Sequence, residues 1–120
     1  RAWVAFSRSK ELAEKMGWER GVVLNDVYLA YINAIRGDAS IDLLRMATER
    51  ALQLGDAEIA TTGQWLSSQW WVEKGDEDQA RAELATAIDA ARRQGLSAME
   101  SMLIELRDSV TRTNPTTSAE

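Results

Sequence analysis

Residues 75–95 read Gly75-Asp76-Glu77-Asp78-Gln79-Ala80-Arg81-Ala82-Glu83-Leu84-Ala85-Thr86-Ala87-Ile88-Asp89-Ala90-Ala91-Arg92-Arg93-Gln94-Gly95, a helical pattern between two glycines. Ala80, Leu84, Ala87, Ile88 and Ala91 recur at the three- and four-residue spacing of one helical face. Asp76 stands three residues before Gln79, the spacing at which a side-chain oxygen accepts an orphan amide of the first turn. Arg92 and Arg93 fall in the last turn, where the helix dipole favours cations. A glycine closes each end. The segment predicts a capped amphipathic helix over about 77–94.

The same punctuation runs through the chain. Apolar stripes predict helices over about 1–16 (Phe6, Ala13, Met16, flanked by Leu12), 22–36 (Val23, Val27, Ala30, Tyr31, Ala34) and 40–54 (Ile41, Leu44, Ala47, Ala51, Leu54). Two more are predicted over about 57–74 (Ile59, Trp65, Leu66, Trp70, Val72) and 98–110 (Met99, Met102, Leu103, Leu106, Val110). Gly17, Gly37, Gly55, Gly75 and Gly95 stop the first five, and Trp18 after Gly17 fits an apolar residue folding back over a C-cap. Asp38 or Ser40, Asp56, and Ser97 with Glu100 are the remaining candidate caps. The class is all-α, with about six helices.

The glycines also keep a period. Gly17 to Gly55 and Gly37 to Gly75 are each 38 residues, and Gly55 to Gly95 is 40. Two helices per period point to an α-solenoid of antiparallel pairs, with an ordinary helical bundle as the alternative. The helical repeat region is expected over 1–110, as a fragment of a longer chain because it opens on Arg1-Ala2-Trp3 already in a helical pattern. The polar segment 111–120 is expected to be a disordered tail or linker.

Ser68, Trp71, Gly75, Ala80, Leu84 and Ala87 carry small, aromatic, turn, small, large and small residues at the spacing of a tetratricopeptide-type repeat, which this unit resembles. The preceding unit matches at Ala30 and Gly37, has Asn33 in the aromatic position, and needs a two-residue gap before Leu44 and Ala47 fit. The period also exceeds that family's usual length of about 34. The phrase Ala87-Ile88-Asp89-Ala90-Ala91-Arg92-Arg93-Gln94-Gly95 is similar to the helical repeat regions of large bacterial signal-transducing ATPases and transcriptional regulators of the maltose-regulator type. The resemblance implies a cytoplasmic, non-catalytic interaction or sensor module that binds a peptide or protein through a concave face. It places Val27, Tyr31, Trp65, Gln69 and Glu73 on that groove, and Trp71 in the core against Ala80 and Leu84.

Composition narrows the function. The 120 residues contain no cysteine and no histidine, which removes thiolate and imidazole chemistry together. The carboxylates have no enclosing polar constellation suited to acid–base work, and no glycine-rich turn accompanies a serine nucleophile. No enzyme activity, metal or cofactor is expected. Fourteen basic against nineteen acidic residues, a net charge of −5, argues against nucleic acid as a partner. No apolar run approaches the roughly 20 residues of a membrane span. The acidic run Glu73, Asp76, Glu77, Asp78 reads as a solvated face. Trp3 and Phe6 are candidates for an oligomer face or for contact with the rest of a parent chain, and a homodimer is one outcome. A small-molecule effector pocket between helices is the alternative function. Gly63, inside a helix, is expected to let a neighbouring helix come close.

Overall fold

A computed structural model describes residues 2–37 and 40–113, with side chains described to 110. The described residues form six α-helices and no strand: α1 (Ala2–Met16), α2 (Glu19–Ile35), α3 (Asp42–Gln53), α4 (Ala57–Glu73), α5 (Glu77–Arg93) and α6 (Ser97–Thr113). None is long and apolar enough to cross a membrane. The chain divides into two compact units, Arg1–Gly63 and Gln64–Glu120, with the boundary inside α4.

The glycine punctuation has one geometric cause. At Gly75 the backbone enters the left-handed region (φ 82°), where a Cβ would be strained. Its amide donates to the Val72 carbonyl at 3.1 Å and that of Asp76 to the Trp71 carbonyl at 3.0 Å, the paired bonds of a Schellman cap. The same pair recurs at Gly17, Gly55 and Gly95. Such a cap satisfies the last carbonyls of one helix and releases the chain within three residues for the next.

In the first unit α1 packs on α2 and α2 on α3. Its buried residues include Ala13, Val23, Val27, Ala30, Ala34, Ile41, Leu44, Ala51 and Ile59. Buried Asn25 ties α1 to α2 by donating to Ser9 Oγ (3.1 Å) and to the Gly21 carbonyl (2.7 Å). Gly63 lets α4 meet α3 closely, since a Cβ there would lie 2.1 Å from Thr48 Oγ1. In the second unit α5 packs on α6 around Leu84, Ala87, Ile88, Ala91, Leu103 and Val110. All five positions of the predicted α5 stripe are buried.

Several local expectations change. α2 starts at Glu19, three residues early, because Gly21 sits inside its first turn beneath the Trp18 indole. Trp18 therefore covers the start of α2: a Cβ on Gly21 would lie 2.4 Å from its ring. Met16 and Leu54, placed on apolar stripes, are exposed. Trp70 and Trp71 are both half-buried, so Trp71 is not a fully enclosed core residue. Their rings meet edge to face with centroids 4.8 Å apart, and Lys74 Nζ lies 5.4 Å from the Trp70 ring centre. α6 runs on to Thr113, beyond the expected limit at 110, while 114–120 and the candidate cap Asp38 lie outside the described residues.

Candidate interaction site

Asp56 accepts from the Ile59 amide at 3.1 Å and Asp76 from the Gln79 amide at 3.1 Å, capping α4 and α5. Ser40 Oγ accepts from the Asp42 amide at 3.1 Å. Ser97 is instead the first residue of α6, and Glu100 turns its carboxylate to Arg92 at 2.5 Å. Arg20 binds Asp56, and also Glu58 at 3.1 Å, which ties the start of α2 to the start of α4 within the first unit. Burial alone would push the Asp56 carboxyl up. The Ile59 amide, Arg20 and the Glu58 amide outweigh it and hold the group below its ordinary value, while the Asp56 hydrogen bond and charge raise Arg20.

The expected groove residues meet different fates. Val27 is completely buried and belongs to the core, so it offers no side-chain surface. Tyr31 is half-buried on the same helix. Trp65 is half-buried and packs against the Leu84–Val110 core, so it is no free aromatic anchor. Gln69 is half-buried and Glu73 exposed, each one further turn along α4 from Trp65. Phe6 is stacked on Tyr28, ring centres 4.8 Å apart and planes 3° from parallel, and so is committed within the first unit. Trp3 remains 43% exposed.

Trp3 also marks a surface that the sequence reading did not single out. Side chains of α1, α2 and α3 line an open cleft of about 440 Å³, formed by Trp3, Lys10, Asp26, Leu29, Ala30, Asn33, Leu43, Met46, Ala47 and Arg50. α2 supplies Asp26, Leu29, Ala30 and Asn33 between the contributions of its two neighbours. Leu43 is 48% and Met46 65% exposed. Lys10 pairs with Asp26 at 2.7 Å. Arg50 reaches Asp26 only at 4.0 Å and Glu19 at 3.8 Å. The signal was present in α3, where Leu43, Met46 and Arg50 at i, i+3 and i+7 form a stripe separate from buried Leu44, Thr48 and Ala51.

Chemically, the cleft offers apolar area and charged groups. Among the described residues no group of three or more His, Cys, Asp or Glu side chains is placed to hold a metal ion. No protein-family model, curated protein or solved structure matches this chain.

Proposed function

We propose that the chain is a non-catalytic protein-interaction module that takes a segment of a partner protein in the cleft of its first unit. The observation that carries this reading is the cleft itself, flanked by Trp3, Leu43 and Met46, three large apolar side chains left between 43% and 65% exposed. Apolar side chains gathered at a concavity are stabilised by covering, and an amphipathic helix laid into a groove covers them with few residues. The repeated glycine caps at intervals of 38–40 residues support the finer reading of a tetratricopeptide-like solenoid of antiparallel pairs. With the resemblance of 87–95, they support placing it within a larger cytoplasmic bacterial signalling or transcriptional regulator.

The test is selection of binding peptides from a displayed library against the immobilised chain. Selected peptides lose affinity for Met46→Asp in the cleft and keep it for Met102→Asp in the second unit. Peptides indifferent to Met46→Asp would place the site elsewhere. The cleft volume also lies within the range of small-molecule pockets. A melting-temperature rise with a sugar or nucleotide, lost in Met46→Asp, would replace the peptide by a metabolite.

A further inference from the structure

Two basic side chains, Lys10 and Arg50, line the cleft against a single carboxylate, Asp26. Lys10 Nζ holds Asp26 at 2.7 Å, a full charge-assisted contact. Arg50, on the facing helix, reaches the same carboxylate at 4.0 Å and Glu19 at 3.8 Å, both beyond hydrogen-bond length. Glu19 is itself 62% exposed, so solvent screens that contact. Asp26 is already neutralised by Lys10. The guanidinium of Arg50, with five donors in a planar fork, half its side-chain surface exposed and both of its ion pairs long, is thus the cleft-edge cation with room for a closer carboxylate.

The geometry points to a specific occupant: an amphipathic helical segment that lays apolar side chains along Leu29, Leu43 and Met46 and delivers a carboxylate side chain to Arg50. This deepens the reading of the cleft as a docking site and rests on it. The spacing follows from the walls. Trp3 to Lys10 on α1 and Leu43 to Arg50 on α3 each span seven residues, about 10 Å or two helical turns. A partner helix with apolar residues at i and i+4 therefore reaches Arg50 from position i+7, where Glu or Asp completes the contact. The global charge does not oppose this. Residues 1–63 carry eight basic against nine acidic residues, and most of the net −5 belongs to 64–120. A bidentate carboxylate would give Arg50 contacts at hydrogen-bond length, which Asp26 and Glu19 do not supply.

The experiment uses the full chain and two fluorescein-labelled, alanine-based helical peptides with Leu at i and i+4. One carries Glu at i+7 and the other Lys. Anisotropy titration should show the Glu peptide binding about tenfold tighter, as expected for a charge-assisted contact. The preference should disappear in Arg50→Ala and reverse in Arg50→Glu, with helical circular dichroism and melting unchanged because Arg50 is exposed. Equal binding of the two peptides, weakened alike by Met46→Asp, would overturn the carboxylate assignment and leave the cleft reading standing. No binding, or binding indifferent to Met46→Asp, would overturn both. A wild-type dimer in sedimentation equilibrium that Met46→Asp converts to monomer would make a second copy the occupant and overturn the proposed partner.

Discussion

Thr48 Oγ1 stands where a side chain on residue 63 would begin: a Cβ there would come within 2.1 Å of it, and within 3.1 Å of Thr48 Cβ. The hydroxyl is not free to retreat, because it is buried and donates to the Leu44 carbonyl at 2.8 Å. Gly63 thus gives up about 1 kcal/mol of helix propensity for a close crossing of α3 and α4 within the first unit. Gly63→Ala should destabilise by about 1–3 kcal/mol despite the better helix former, since the clash outweighs the propensity gain. Combined with Thr48→Ala, which removes the nearest atom, the loss should fall short of the sum by about 1 kcal/mol in urea unfolding. Additive losses would show that the crossing does not depend on this pair.

Asp56 links stability to pH. Its carboxyl is held below the ordinary value of 3.8 in the folded chain, so its contribution is fully present above that value and is lost as pH falls through the folded value. Asp56→Asn keeps an acceptor for the Ile59 amide but has no charge to titrate or to pair with Arg20. The stability difference between wild type and Asp56→Asn should therefore be constant from pH 7 to about 5 and shrink toward pH 3. Urea midpoints at stepped pH measure it, and a difference independent of pH would remove Asp56 from the acid limb.

Two candidate caps separate cleanly. Asp76 bonds the Gln79 amide, whereas Ser97 lies within the first turn of α6 with its side chain exposed. Asp76→Ala should cost about 1 kcal/mol, and Ser97→Ala should stay within about 0.5 kcal/mol of wild type. Thermal unfolding of the two variants side by side decides it, with equal losses contradicting the assignment.

Two tryptophans should behave in opposite ways. Trp65 packs on the core of the second unit, so Trp65→Ala should lower stability by about 2–3 kcal/mol. Trp3 is 43% exposed on the cleft, so Trp3→Ala should change stability by less than about 1 kcal/mol while weakening peptide binding. Chemical denaturation beside the anisotropy titration reads both, and a stable Trp65→Ala would return Trp65 to the surface.

The helices were legible because each stop rests on local chemistry. A glycine in the left-handed region works without distant partners, so the five helix ends it sets fall within a residue or two of expectation. The start of α2 was hidden because Gly21 reads as a breaker until the Trp18 ring is seen against it. The site was less legible. The family likeness placed it on α2 and α4, yet the pattern of one helix cannot reveal that Val27 is wholly buried or whether Trp65 meets solvent or the α5–α6 core. The first-unit cleft depends on three helices converging, which periodicity does not encode. Its one trace was Leu43 and Met46 lying off the buried stripe of α3.

Amide and indole chemical-shift mapping of the ¹⁵N-labelled chain, titrated with the Glu-bearing peptide, tests whether the first-unit cleft is the working surface. The Trp3 indole and the amides of Leu29, Asn33, Leu43 and Met46 should shift together and saturate at one affinity, while 77–110 stay in place. Shifts centred on Gln69 and Glu73, or on α5 and α6, would contradict it.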